Sequence, residues 1–240
     1  MAPPTAAPSP TPSGPRSQIV WVAQVVFAIV AGLVVYGFVD MAKHAEMRRA
    51  CDPLVQLRPR YLGADRTAPD FELKDMNGAP VKLSSYRGKV VVLHFWTKTC
   101  RPCLEELPYL RDFAEKVKGR SDVAVLAVST DEGPEEIKDV LQTTFGTKPL
   151  PMPMLFDPER KIVFEKFGTK LFPETWLIDK NGVIRARFDG VPMAGEGCEV
   201  AWSGPLILSA IDAIESPTVC DVTIDPRYDP KPDHLVAPCR

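Results

Sequence analysis

The stretch from Lys89 to Trp96, KVVVLHFW, is a continuous apolar, β-branched run of strand length, and four residues after it stands the first of two closely spaced cysteines. A run of this kind is long enough for one strand and has no polar alternation. That is the pattern of a strand buried on both faces, which places helices or other cover on each side of the sheet that holds it. The cysteines follow in Trp96-Thr97-Lys98-Thr99-Cys100-Arg101-Pro102-Cys103, and a helical pattern runs on from about Arg101 to Lys118. Cys100 therefore sits where a strand ends and a helix begins.

The neighbouring segments extend this unit. Phe71-Glu72-Leu73-Lys74 and Val81-Lys82-Leu83 alternate on either side of Asn77-Gly78, a hairpin turn signal. Val123–Val128 reads as a second buried strand and Glu135–Phe145 as a helix. Glu174–Asp179 and Val183–Phe188 flank Lys180-Asn181-Gly182 as a second hairpin. Leu206, Ile207, Ala210, Ile211 and Ile214 form one apolar helix face behind Pro205. The order hairpin, β-α-β-α, hairpin, α predicts an α/β fold with a central mixed sheet flanked by helices.

Ahead of this lies a different kind of chain. Residues 1–16 are rich in Pro, Ala, Ser and Thr, a composition that cannot bury a core. Ser17–Val39 carries no charge, has Trp21 and Tyr36 near its ends, and at about 1.5 Å per residue matches a hydrocarbon core of about 30 Å. It reads as one uncleaved transmembrane anchor at 17–39. A juxtamembrane linker follows at 40–62, then the folded domain at 63–216 and a Pro- and Cys-containing tail at 217–240. A net charge of −2 gives no electrostatic basis for binding nucleic acid.

The thiol pair suits redox chemistry. Pro102 fits the first turn of the helix, where its missing N–H costs nothing. The free N–H groups and positive dipole end there favour a thiolate at Cys100, and Arg101 stands beside it. Cys103 is one turn on, on the same face, placed to resolve a mixed disulfide. A structural zinc site would need two more ligands at suitable spacing, and neither a second C-x-x-C nor H-x3-H occurs.

The segments APDFELKDMNGAPVKLSSYRGKVVVLHFWTKTCRPCLEELPYL and FPETWLIDKNGVI resemble the TlpA/ResA-like branch of the thioredoxin superfamily, membrane-anchored thiol–disulfide oxidoreductases of the bacterial envelope, from about Ala68 to Ile214. The resemblance implies a thioredoxin-like fold preceded by a β-hairpin and one transmembrane helix, with Cys100 as nucleophile and Cys103 resolving. It implies a domain facing the periplasm or cell exterior, a thiol- or disulfide-bearing protein substrate, an upstream membrane electron donor and no cofactor. Phe172-Pro173-Glu174 matches the family's cis-proline loop opposite the thiols. Glu106 matches a glutamate three residues after the second cysteine. Burial would raise its pKa and suit it to take a proton from the resolving thiol, whereas neighbouring Glu105 reads as a surface charge. Pro108, also in the pattern, removes an interior N–H and is expected to kink the helix.

The chain departs from the family at Thr99, where Trp is usual, and at His94, where Asn is usual. His94 is either a proton relay near Cys103 or a hydrogen-bonded core residue. The flanking charges also disagree with the family. Arg16 precedes the anchor while Lys43, Arg48 and Arg49 follow it, a count that favours a cytoplasmic C-terminal part. Cys51, Cys198, Cys220 and Cys239 are candidates for structural disulfides in an oxidising compartment, in any of three connectivities. Met152 and Met154 raise a copper(I)-binding module as an alternative. Thr97-x-x-Cys100 raises a thiol peroxidase, although Leu93 stands where that motif requires proline.

Overall fold

The computed structural model describes residues 15–57, 59–147, 149–194 and 199–215. The chain divides into two compact units, Met1–Glu46 and Met47–Arg240.

In the first unit one long helix, α1 (Pro15–Gln56, continuing into the second unit), contains the span Ile19–Glu46, which reaches a mean hydropathy of 2.5. Its apolar side chains are bare: Phe27 and Phe38 are each 75% exposed. By length and composition this segment is sufficient to cross a membrane. The linker expected over 40–62 is helical as far as Gln56, because Ala42, Lys43, Ala45, Glu46, Met47, Arg48 and Arg49 are good helix formers and no glycine or proline intervenes before Pro53.

The second unit is built on an eight-stranded mixed sheet. Its strands are β1 (Tyr61–Thr67), β2 (Glu72–Asp75), β3 (Pro80–Lys82), β4 (Val90–Trp96), β5 (Val123–Ser129), β6 (Met154–Phe156), β7 (Glu174–Ile178) and β8 (Val183–Asp189). They lie in the order β1-β8-β7-β4-β5-β6-β2-β3. β4, β5 and β6 run parallel and every other pairing is antiparallel. β4 occupies the interior, between β7 and β5, and all seven of its residues are buried. That is why its sequence has no polar alternation.

Side chains alternate across β4 into two cores. Val90, Val92 and Trp96 face a layer containing α2 (Arg101–Val117), α3 (Pro134–Phe145) and α4 (Pro205–Glu215). Val91, Leu93 and Phe95 face the opposite core with Phe71, Leu83, Ile162, Phe167 and Trp176. Burying one such large apolar side chain contributes roughly 2–3 kcal/mol, so both faces anchor the strand from which the cysteine turn leaves.

Several elements were not anticipated from sequence. β1 pairs with β8 along one edge, with a register break between Leu62 and Arg66. β6 joins β5 to the first hairpin. A short hairpin, β9 (Met193–Ala194) with β10 (Glu199–Val200), is followed by a 3-10 turn at Ala201–Ser203 that buries Trp202 before α4. α2 runs through Pro108 to Val117.

Candidate active site

The Cys100–Cys103 disulfide is formed, with a Cα–Cα distance of 5.3 Å. Cys100 is the N-cap of α2, and its Sγ accepts the backbone N–H of Cys103 at 3.2 Å. A sulfur in that position lies against the unpaired N–H groups and positive end of the helix, which favour negative charge on it. The two sulfurs are unequal in access. Cys100 is half-buried and Cys103 is fully buried against Leu107 and the rest of the core under α2. The Arg101 side chain is 89% exposed and pairs with Glu105 at 2.9 Å, one turn along the helix surface.

The turn that carries the cysteines is held from below by a residue that sequence reasoning passed over. Asp131, buried just past β5, accepts from Thr97 Oγ1 at 3.0 Å, from the Lys98 backbone N–H at 2.9 Å and from Ser129 Oγ at 2.6 Å. Lys98 Nζ adds an ion pair with Glu136 at 2.8 Å. Nothing local marks Asp131 as the support of this turn, since Thr97 and Lys98 lie more than 30 residues upstream. It becomes visible only once β4 and β5 are seen to be parallel neighbours whose ends coincide, Trp96 opposite Ser129.

Glu106 is 1% exposed, on the same face of α2 as Cys103. Trp202 Nε1 donates to its Oε1 at 2.5 Å, while Oε2 is buried with no hydrogen-bond partner. Burial pushes the carboxyl up to about 8, against an opposing pull from the Trp202 N–H. In the disulfide form Glu106 is therefore a neutral acid near neutral pH. Glu105 is on the exposed side.

His94 is fully buried on β4 between Val92 and Trp96, with Nδ1 2.9 Å from Thr175 Oγ1 of β7 and Nε2 without a hydrogen-bond partner. Burial lowers its pKa to about 3, so the ring is neutral. By strand alternation it faces the same core as Cys103 and Glu106.

The Phe172–Pro173 peptide bond is cis. Glu174, buried directly after it, accepts from Thr169 Oγ1 at 2.6 Å and from Trp176 Nε1 at 2.8 Å, clasping the loop 169–173 to β7. Leu171 in that loop is 49% exposed, Phe172 stacks edge-on against Phe164, and Thr99 and Pro102 are exposed beside Cys100. Met152 and Met154 are buried in the core under α2, and Met154 Sδ accepts from Trp96 Nε1 at 3.2 Å. Packing occupies both methionines. Cys198, Cys220, Cys239 and the side chain of Cys51 lie outside the described residues.

A helix-capping disulfide after a central strand, with a cis-proline loop in the same sheet, defines a thioredoxin-like thiol–disulfide oxidoreductase. A profile of the AhpC/TSA family matches residues 64–187, more than half of the 240 residues, and the chain belongs to that family. It is 36% identical over 124 residues to the thiol-disulfide oxidoreductase ResA of Geobacillus thermodenitrificans (strain NG80-2), covering 52% of this chain and 68% of that one. A Chlorobium tepidum structure described as a thiol:disulfide interchange protein DsbE superposes with a TM-score of 0.52 at 28% identity, over 64% of this chain and 99% of that one. The thioredoxin domain of a Bacteroides vulgatus thiol-disulfide oxidoreductase, at 24% identity and a TM-score of 0.50, shares the fold.

Proposed function

We propose that this oxidoreductase is anchored by the apolar helical segment 17–39, faces the periplasm or cell exterior, and reduces disulfides in partner proteins, in cytochrome c maturation or copper-site assembly. In this reading a membrane dithiol donor restores the reduced enzyme. Cys100 attacks a partner disulfide and forms a mixed disulfide, releasing the partner's other sulfur as a thiolate. Cys103 gives its proton to the Glu106 carboxylate and attacks Cys100 Sγ. The Cys100–Cys103 bond forms and the partner leaves with two electrons gained. Pro173, the exposed Leu171 and the half-buried Phe172 form the edge beside which the partner's backbone lies. His94 is a neutral neighbour of this chemistry able to relay a proton through Nε2.

The observation that carries the reading is the inequality of the two sulfurs: one at a helix N-terminus with access from outside, the other buried one helical turn from a neutral carboxyl. Neither a staple nor a metal clamp requires that inequality. The test is capture. Cys103→Ser should accumulate mixed disulfides through Cys100 in cells, identifiable by mass spectrometry and absent in the Cys100→Ser/Cys103→Ser double variant. Capture by Cys100→Ser instead of Cys103→Ser would reverse the two assignments. Capture by neither, with tight copper(I) binding by the parent, would replace the reading with metal delivery.

A further inference from the structure

The indole of Trp202 reaches Glu106 from 96 residues away, and it comes from the segment between β8 and α4, outside the residues 64–187 shared with the family profile. We propose that Trp202 is a positioning residue for the redox reaction: its N–H fixes which oxygen of Glu106 carries the exchangeable proton, and it stabilises the carboxylate that remains when the proton leaves. The proposal rests on the proton-transfer role of Glu106 given above and assigns that role to one atom.

The chemistry follows from what an indole can do. Trp Nε1–H is a donor and never an acceptor, so the oxygen it contacts, Oε1, must offer a lone pair in both protonation states. In the neutral acid the carbonyl oxygen is the better acceptor, so the carbonyl is Oε1 and the hydroxyl is Oε2. Oε2 is the oxygen with no hydrogen-bond partner, free to exchange with the thiol of Cys103 three residues earlier. When a donor dithiol's thiolate attacks Cys100 Sγ, the Cys100–Cys103 bond breaks and its electron pair leaves on Cys103 Sγ. The Oε2 proton passes to that sulfur, and Glu106 is left as a carboxylate with Trp202 donating to it. One thiolate is consumed and one carboxylate appears, so charge balances. Resolution of a substrate disulfide is the reverse transfer.

Trp202 is held for this task. It is 1% exposed and its ring packs against Phe113 of α2 with centroids 5.2 Å apart, fixing the indole to the helix that carries Glu106. Among the described residues no charged group acts on Glu106 beside the Trp202 N–H. The 3-10 turn is Ala201-Trp202-Ser203, and β5 has no ionisable side chain. Glu135, Glu136, Lys138 and Asp139 of α3 are exposed to solvent. Cys103 on α2 and His94 on β4 face the same core as Glu106, and the His94 ring is neutral at working pH.

The test is Trp202→Phe in the full chain, which removes the N–H and keeps an aromatic ring against Phe113. In the disulfide form the Glu106 carboxyl, followed by infrared difference spectroscopy against Glu106→Gln, should titrate about one to two pH units higher than in the parent, because a hydrogen bond to the anion is lost. The alkaline limb of the pH–rate profile for reduction of the Cys100–Cys103 disulfide by a donor dithiol should move with it. An unchanged midpoint in a folded variant overturns the proposal. If the variant does not fold, the parent still decides. One indole N–H resonance of the nitrogen-15-labelled protein should titrate with the carboxyl and lose that titration in Glu106→Gln. A titrating carboxyl with no responding indole overturns the proposal equally. Glu106→Gln turning over as fast as the parent would remove the role of Glu106 in catalysis, while the carboxyl midpoint would still report what Trp202 does.

Discussion

Replacing Glu106 by Gln should remove one limb of the stability–pH curve. Burial holds the folded carboxyl at about 8 against an ordinary 4.5, so between those values the folded disulfide form keeps a proton that the unfolded chain releases. Stability from this group is therefore complete below pH 4.5 and is lost as pH rises through 8. At about 1.4 kcal/mol per pH unit, the loss between pH 5 and pH 8 is roughly 3–4 kcal/mol. Glutamine has the same shape, offers Trp202 a carbonyl oxygen and does not titrate. Its own penalty, an amide N–H pair placed where Oε2 had no partner, is the same at every pH. Urea unfolding of the non-reduced full chain in detergent micelles, followed by near-ultraviolet circular dichroism at the two pH values, isolates the effect, because other titrating groups cancel in the variant-minus-parent difference. That difference should be roughly 3–4 kcal/mol more favourable to the variant at pH 8 than at pH 5. A difference that stays level would mean the carboxyl is not held neutral by its surroundings, and the proton-transfer argument would lose its basis.

His94→Asn should act on the opposite limb. The buried ring is depressed to about 3, so its stability is present above pH 6.5 and lost as pH falls toward 3. The variant should gain roughly 3 kcal/mol on the parent between pH 7 and pH 4 in the same unfolding assay, and no gain would mean that the ring protonates freely when folded. Asp131→Ala leaves Thr97 Oγ1, the Lys98 N–H and Ser129 Oγ without their acceptor and should cost roughly 2–4 kcal/mol, with faster amide exchange at Lys98. Asp131→Asn, which keeps one acceptor oxygen, should cost less, and a loss under about 0.5 kcal/mol in the alanine variant would show that the turn is held by other contacts.

Much of this was readable before any coordinates, for local reasons. A buried strand and a capping cysteine each announce themselves within ten residues, as Val90–Trp96 and Cys100–Cys103 do, whereas Phe172-Pro173 is legible only through the family resemblance. What was missed is non-local or short. β1 has no alternation in Tyr-Leu-Gly-Ala-Asp-Arg-Thr, and β6 is three residues behind a Pro-rich approach, so both owe their strand geometry to the neighbours they pair with. Asp131, Glu174 and Trp202 look like ordinary loop, strand and turn residues in one dimension. The parallel pairing of β4 with β5 brings Thr97 and Lys98 to Asp131, Glu174 finds Thr169 and Trp176 close by in the chain, and only the fold brings Trp202 to Glu106. The helix runs on past Val39 because charge marks the end of the apolar surface and not of the helix.

The ends of the sheet have a consequence for life at high concentration. An eight-stranded sheet exposes two rows of unpaired backbone groups, and identical copies can zip together along them. Here each row is spoiled. β3 is three residues long, opens with Pro80, which has no N–H to offer, and closes with Lys82. β1 breaks register between Leu62 and Arg66 and carries Arg66 on the rim, with its guanidinium stacked over Tyr61 and Trp176. Open edges would invite further copies of the chain, or other extended segments, to add strands there, and both edges are built against it.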